Sequence, residues 1–337
     1  MRAVPVWHTR ADIFDPMTQA TTSRHLLTRR MASLLENIRR ANRPAFHTQS
    51  VAEARASYTA GAEVLEPPRA ALARVEDVRL PGGDGTPLNA RLYAPSHERL
   101  PVLLFMHGGG FTIGNLETHD SLCRQIALRA DAAVLALDYR LAPEHRFPCA
   151  VDDSWAALRW LADHANELGL DATRLAVGGD SAGGTLAAAT AVRARDIGVP
   201  LRLQVLITPG TTAFADTPSH REFAHGFLLD SETIAWFFDQ YIAHEQRRDW
   251  RFAPLEADDV DGVAPACVVL AECDPLVDEG IAYADKLRAA GVPVELDLVR
   301  GVTHDFIKMG RVLPEAVASQ ALIGTALKAA FAAQSTR

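Results

Sequence analysis

Cysteine is scarce in this sequence, with 4 residues among 337, and no two of them stand in a Cys-x-x-Cys pair. Zinc ribbons and thioredoxin-type redox centres use that spacing and are therefore excluded. Cys267 and Cys273 lie on a predicted strand and its exit, where an extended chain holds them about 20 Å apart, too far for a disulfide. We expect both to be reduced, buried thiols.

The sequence also lacks an excess of positive charge and a long apolar run. Its 34 lysines and arginines face 42 aspartates and glutamates, giving a net charge of −8, whereas a nucleic-acid binder needs a basic surface. The longest stretch without a charged residue, Leu100–Leu116, contains three consecutive glycines and is shorter than the roughly 20 apolar residues of a membrane span. Residues 1–16 hold no apolar block typical of a signal peptide. We therefore expect a cytoplasmic protein with no nucleic-acid partner and no membrane partner.

From about residue 74 onward, short apolar runs alternate with helical patterns. Alternating apolar and polar residues on either side of a glycine-rich turn predict a hairpin of 74–80 with 88–94. Further strands are predicted at 101–106, 132–137, 175–179, 202–208, 266–271 and 294–299, and helices at 117–130, 148–164, 182–196, 280–290 and 314–333. This order predicts an α/β fold with a mostly parallel sheet covered by helices on both faces.

Two regions do not follow this alternation. Residues 1–70 show helical periodicity, and residues 209–245 form a long insert rich in aromatic side chains, a kind of segment that is often a lid. The sequence therefore divides into an N-terminal helical segment, 1–70, a first part of the α/β core, 71–208, the insert, 209–245, and a second part of the core, 246–337.

The strongest chemical signal is the pentapeptide Gly-Asp-Ser-Ala-Gly at 179–183, between a predicted strand and a predicted helix. In this context a G-x-S-x-G motif is typical of a nucleophilic serine on a tight, strained turn. The turn exposes the Ser181 hydroxyl at the carboxyl edge of the sheet, and the N–H groups of the helix N-terminus favour developing negative charge there. The alternative is an ordinary glycine-rich turn.

A second signal is His-Gly-Gly-Gly-Phe at 107–111, directly after the strand 101–106. Glycines let backbone N–H groups approach and stabilise the oxyanion of an acyl-transfer reaction. A phosphate-binding loop is the alternative, but neither G-x-G-x-x-G nor Walker spacing is present.

A serine nucleophile needs a base and an orienting acid, which follow it in this chain order. His304 follows the strand 294–299 and Asp274 follows the strand 266–271, so both are expected at the same sheet edge as Ser181. Asp278 competes for the role of the acid, although its place before a helix also suits a helix cap. No metal site is predicted, because His244-Glu245 is not continued as a zinc-binding motif.

Together with 274–276 (Asp-Pro-Leu) and 138–148, these motifs resemble the hormone-sensitive-lipase-like esterases of the α/β-hydrolase superfamily over roughly residues 75–310. The resemblance implies an α/β-hydrolase fold in which the N-terminal helices and the insert form a helical cap. It implies that Arg140 and Glu144 support the loop beneath the site, and that the chain forms a homodimer through the sheet edge. The family usually has glycine where this chain has Asp305. A carboxylate beside the imidazole of His304 competes with Asp274 for its proton or raises the pKa of that histidine, and the alternative is that Asp305 points to solvent or caps the turn.

The resemblance further implies the roles of the site residues. Ser181 is the nucleophile, His304 the general base and acid, and Asp274 the orienting acid. The implied oxyanion donors are the backbone N–H groups of Gly108, Gly109 and Ala182.

The function predicted from these residues is hydrolysis of small-molecule carboxylic esters with short-to-medium acyl chains, through an acyl-enzyme and without a cofactor. Three aromatic residues of the insert are candidates for the substrate pocket, although at helical spacing they also suit the core of the cap: Phe214, Phe223 and Trp236. An amidase or deacetylase with the same triad remains an alternative. A non-catalytic receptor resembling the gibberellin receptors is disfavoured, since those lack the catalytic histidine.

Overall fold

The computed structural model describes residues 23–333, which form one eight-stranded sheet with helices on both faces. The ends of the first and last predicted segments, 1–22 and 334–337, lie outside the described residues. The strands are β1 Arg74–Pro81, β2 Pro87–Ala94, β3 Leu100–Met106, β4 Ala133–Asp138, β5 Leu170–Asp180, β6 Leu203–Ile207, β7 Ala266–Cys273 and β8 Val294–Thr303. The α-helices are α1 Arg29–Ala41, α2 Val51–Leu65, α3 Asp120–Ala130, α4 Cys149–His164, α5 Ala182–Ile197, α6 Pro218–Glu222, α7 Ser231–Tyr241, α8 Val277–Ala289 and α9 Pro314–Ala332.

The sheet has the order β1-β2-β4-β3-β5-β6-β7-β8. β2 is antiparallel to both β1 and β4, whereas β4, β3, β5, β6, β7 and β8 are all parallel. The predicted hairpin and the predicted fold class, a mostly parallel α/β sheet, are therefore confirmed.

The two faces of the sheet carry separate apolar cores, because successive side chains of a strand point to opposite faces. In β3, Leu104 and Met106 belong to the core that includes Leu158 of α4. Leu103 and Phe105 belong to the other core, against helices α3 and α9. Burial on both faces explains why these strands are continuous apolar runs in the sequence.

The N-terminal helices begin with hydrogen-bonded caps. The Thr28 hydroxyl accepts the Met31 N–H at the start of α1, and Ser50 and Glu53 form a reciprocal capping box at the start of α2. Ala54 of α2 and Phe237 of α7 belong to one small apolar cluster together with Ile113. The N-terminal helical segment and the insert, which are far apart in the sequence, therefore contribute to the same cluster.

Two of the observed helices begin three residues away from the predicted start. The helix predicted at 117–130 begins as α3 only at Asp120, because Glu117–His119 form a short 3₁₀ helix ahead of it. The backbone N–H groups of Asn115 and Thr118 each donate to the other residue's side-chain oxygen at the start of this turn. The helix predicted from 280 begins earlier, at Val277, and Gly280 lies inside it, where it packs closely on Leu270 of β7. Gly280 therefore allows close packing of the helix on the strand and does not mark the start of the helix.

Within residues 23–333, no helix is both long enough and apolar enough to cross a membrane. In the same range, no group of three or more histidine, cysteine, aspartate or glutamate side chains is placed to hold a metal ion. Cys267 and Cys273 are buried and free, as predicted.

Candidate active site

Ser181 lies on the sharp turn between β5 and α5. Its φ of 52° and ψ of −122° are a strained combination for a residue with a side chain, and such strain is common at functional sites. A Cβ atom at Gly179 or Gly183 would overlap the backbone of Met106 in β3. The glycines of the motif are therefore needed for the close approach of this turn to the neighbouring strand.

His304 follows β8 and lies between Ser181 and Asp274. Its Nε2 atom is 2.9 Å from Ser181 Oγ, and its Nδ1 atom is 2.7 Å from Asp274 Oδ2. The other carboxylate oxygen of Asp274 accepts the Leu276 N–H at 2.9 Å. Because β5, β7 and β8 run parallel in one half of the sheet, their carboxyl ends bring these three side chains together.

Asp278, the competing acid, has other partners. Its Oδ2 atom accepts the Ser219 N–H at 2.8 Å, and its own N–H donates to Ser219 Oγ at 3.3 Å. These bonds tie α6 of the insert to α8, and Asp278 makes no hydrogen bond to His304 among the described residues. The geometry favours Asp274 as the partner of the imidazole.

His304 is buried, and two opposing effects act on its pKa. Burial lowers the pKa, but the charge and the hydrogen bond of Asp274 outweigh burial and raise it above the ordinary histidine value. Asp305 adds to the increase. Asp305 has a φ of 62°, a left-handed conformation that aspartate tolerates better than most residues with a side chain, which accounts for its standing where the family usually has glycine.

The glycine loop after β3 is placed differently from what the resemblance implied. The Gly108 N–H donates to Asp180 Oδ1 at 3.0 Å, and Gly108 is absent from the cavity lining formed by the described residues. Gly109, with φ 121°, and Gly110, with φ 56°, line the cavity beside Ser181 and Ala182. The assignment of Gly108 as an oxyanion donor is therefore corrected, because its N–H is already engaged by Asp180, whereas Gly110 lies in the cavity wall.

Asp180, the second residue of the serine motif, holds this loop. Its Oδ2 atom is 3.1 Å from His119 Nε2, and His119 Nδ1 is 2.9 Å from the Thr118 hydroxyl. Burial raises the pKa of Asp180, but His119 outweighs burial and lowers it to about 2, so the carboxylate stays charged. The sequence analysis missed this role, although the polar residue beside Ser181 was visible in the motif.

Two further polar residues predicted to support the site make ion pairs. Arg140 binds both carboxylate oxygens of the buried Asp153. Glu144 pairs with Arg55 of α2 at 2.6 Å, and Arg55 also donates to the carbonyl oxygens of Thr112 and Ala142. Arg55 therefore fastens a helix of the N-terminal segment to the loops beside the site.

A cavity of about 540 Å³ opens over Ser181 and His304. The N-terminal helices contribute side chains such as Tyr58 and Leu65 to its wall, and the insert contributes Phe237 and Phe238. Its lining is mostly apolar. Small-molecule sites typically have this size and character.

The three aromatic residues predicted for the substrate pocket are not among the described residues that line this cavity. Phe223 is buried against Phe227, and Phe214 packs on His244 and Arg248. Trp236 lies on α7 beside Phe237. The next two positions of the helix, Phe237 and Phe238, line the cavity, and Trp236 does not. The choice of residues is corrected accordingly.

Comparison with known proteins points in the same direction. Residues 103–308 match a family model described as the alpha/beta hydrolase fold. The chain is 44% identical to an ethyl acetate hydrolase of Pseudomonas putida over 262 residues, which is 75% of this chain and 82% of the relative. It is 42% identical to the carboxylesterase NlhH of Mycobacterium tuberculosis strain H37Rv over 266 residues, 77% of this chain and 83% of the relative.

Among solved structures, a serine-to-alanine mutant of an α/β hydrolase from the metagenome of Lake Arreo, Spain, is similar, with a TM-score of 0.87 and 36% identity. The match covers 92% of this chain and 100% of that one. The chain is therefore a carboxylesterase that belongs to the hormone-sensitive-lipase-like family of the α/β-hydrolase superfamily.

Proposed function

We propose that the protein hydrolyses small-molecule carboxylic esters with Ser181 as nucleophile, His304 as general base and acid, and Asp274 as the orienting acid. The observation that carries this proposal is the continuous relay of 2.9 Å from serine to imidazole and 2.7 Å from imidazole to carboxylate. A carboxylate in this position holds the imidazole in the correct tautomer and stabilises the imidazolium that forms.

The reaction proceeds in two halves. Ser181 Oγ bonds to the ester carbonyl carbon while His304 Nε2 takes the hydroxyl proton. When the tetrahedral intermediate collapses, the bond to the alcohol oxygen breaks and His304 returns the proton to the leaving alcohol. A water molecule then attacks the acyl-enzyme with the same help from His304, which releases the acid and restores Ser181.

The N–H groups of Gly109, Gly110 and Ala182 stabilise the oxyanion in both halves. Ala182 is the first residue of α5, whose N–H has no partner within the helix. The N–H groups of Gly109 and Gly110 have no hydrogen-bond acceptor among the described residues. Preorganised donors of this kind are worth about 3–4 kcal/mol each in known cases.

The division of the chain into core and cap is also a proposal. We propose that helices α1 and α2 act with the insert, 209–245, as one cap over the acyl pocket. Two observations support it: Ala54 and Phe237 share one apolar cluster, and His47 Nδ1 lies 3.1 Å from the Thr233 hydroxyl of α7.

Covalent labelling tests the mechanism. A 4-nitrophenyl phosphonate is expected to modify one residue, Ser181, in a ratio of one to one, and to stop ester hydrolysis in proportion. Peptide mass spectrometry locates the label, and Ser57, whose hydroxyl also lies in the cavity wall but donates to Gln49, is the internal control. An enzyme that stays unlabelled while it hydrolyses esters would overturn the mechanism.

Acyl-chain preference tests the substrate class. A largely apolar cavity of about 540 Å³ fits short and medium chains, so kcat/KM for 4-nitrophenyl esters is expected to reach its maximum there. We expect it to fall towards palmitate, since a long chain leaves much of its apolar surface in water. A steady rise as far as palmitate would contradict this expectation.

The pH dependence follows from the imidazole. His304 acts as a base only when neutral, so kcat/KM falls as the pH drops through its pKa. Because that pKa is raised, the acidic limb of the profile is expected above the ordinary histidine value of about 6.5. Asp305→Asn removes a carboxylate that contributes to the increase and is expected to move the limb to lower pH.

Two features make the Asp305→Asn measurement specific. Asparagine tolerates the left-handed backbone of position 305, so the turn is kept. Asp258→Asn removes a charge from an exposed position and controls for net charge. A limb that moves equally in both variants, or upward in Asp305→Asn, would show that Asp305 does not act on His304.

A further inference from the structure

A buried lysine in the cavity wall has no part in the proposed mechanism. The Lys308 side chain is 7% exposed, and Lys308 lines the cavity together with Tyr58 of α2. Its Nζ atom donates to Tyr58 Oη at 2.7 Å and lies 4.4 Å from the centre of the Tyr58 ring. A buried ammonium is costly unless its donors find acceptors.

Lys308 has donors to spare. An ammonium carries three N–H donors, and among the described residues only Tyr58 accepts one within hydrogen-bond distance. The nearest carboxylate oxygen that pairs with Lys308 is Glu66 Oε1, at 4.0 Å. That oxygen is buried and has no hydrogen-bond partner of its own among the described residues. The wall of the substrate cavity therefore holds a fixed cation whose hydrogen bonding is incomplete.

The surroundings decide which kind of acceptor fits. Burial raises the pKa of Glu66 to about 8 even though the neighbouring Lys308 ammonium lowers it, and the carboxylates of Asp180 and Asp305 add to the increase. Asp180 and Asp305 place negative charge around Lys308. A carboxylate on the substrate would be repelled by these groups. A neutral oxygen accepts a hydrogen bond from the ammonium without that repulsion.

We propose that Lys308, held by Tyr58, selects esters whose acyl or alcohol chain carries a neutral oxygen, such as an ether, ketone or hydroxyl oxygen. This inference names the substrate class of the same site and rests on the proposed function. Lys308 is then a specificity-determining residue, since it contacts the substrate away from the reacting carbonyl.

Substrates in which an oxygen atom replaces one methylene at a time test the proposal. In one series, kcat/KM for 4-nitrophenyl hexanoate is compared with that of analogues in which one methylene beyond the α carbon is replaced by oxygen. In a second series, hexyl acetate is compared with the matching oxa analogues in the alcohol chain. For each position, the ratio of oxa ester to parent is measured in the wild-type enzyme and in Lys308→Met, so that differences in intrinsic reactivity cancel.

We expect the ratio at one position to fall about tenfold or more in Lys308→Met, the loss typical of a buried hydrogen bond to a charged group. Tyr58→Phe keeps the ammonium and is expected to retain more of the preference than Lys308→Met does. The 4-nitrophenyl monoester of adipic acid, which ends in a carboxylate, is expected to gain nothing from Lys308.

Three results would overturn the inference: ratios that are the same in both enzymes at every position of both series, a preference for the carboxylate probe, or a preference that disappears in Tyr58→Phe but survives in Lys308→Met. If Lys308→Met does not fold, the wild-type enzyme alone tests the inference. Its ratio of oxa ester to parent is then divided by the same ratio for hydroxide-catalysed hydrolysis. A quotient near one at every position rejects the inference. Each of these results leaves hexanoate hydrolysis by Ser181 intact. Failure of the proposed function would instead appear as full hexanoate turnover by Ser181→Ala.

Discussion

Ser181→Ala will reduce kcat for 4-nitrophenyl butyrate by about 10⁴- to 10⁶-fold, the range found when the nucleophile of a serine hydrolase is removed. The substitution deletes one oxygen atom that lies 2.9 Å from His304 and leaves the oxyanion donors in place. Binding of the substrate is expected to change little, so the loss falls on kcat. Steady-state assays at protein concentrations fixed by absorbance measure it.

The matched control is Ser57→Ala, which removes a second serine hydroxyl of the cavity wall, one that donates to Gln49 and not to His304. That variant is expected to retain its turnover. Thermal melting of both variants separates loss of chemistry from loss of folding. Full esterase activity in a folded Ser181→Ala enzyme would remove the proposed mechanism.

Asp274→Asn is expected to lower kcat by about 10⁴-fold, as the comparable change does in another serine hydrolase. An amide at this position no longer stabilises the imidazolium, and its NH₂ group faces the Nδ1 atom that now contacts Asp274 Oδ2 at 2.7 Å. The acidic limb of the pH profile is also expected to move down, because the carboxylate that raises the pKa of His304 is gone.

Asp278→Asn is the matched control for the acid. Asp278 accepts the Ser219 N–H and so fastens α6 to α8, which gives it a structural contribution and no contact with the imidazole. We expect a modest loss of stability and nearly normal kcat. A large loss of kcat in Asp278→Asn together with a small loss in Asp274→Asn would show that the acid has been misassigned.

The strands were predictable because their residues are buried on both faces of the sheet. A run such as Leu100–Met106 has no polar side to present to water, and its sequence shows this directly. Helix starts were less predictable. Ahead of α3, the backbone N–H groups of Asn115 and Thr118 each donate to the other residue's side-chain oxygen, and Gly280 packs on Leu270, a residue that lies in another element.

The glycine loop shows the limit of motif reasoning. Three consecutive glycines offer three N–H groups, and the sequence alone does not say which of them face the substrate. The choice depends on Asp180, which engages the Gly108 N–H from the serine turn. The pocket aromatics have the same problem, since Trp236 and Phe237 are adjacent and only the orientation of α7 in the folded protein decides which one lines the cavity.

The sequence by itself determined the α/β class, because this depends on local periodicity, and it indicated the three side chains of the proposed relay by their places directly after strands. The family followed from the resemblance of its motifs. Only the tertiary structure decided which backbone donors remain free, which aromatic side chains line the cavity, and that Lys308 meets Tyr58 there. The physical reason is that these features depend on contacts between distant segments. Burial and hydrogen-bond competition arise only when those segments pack together.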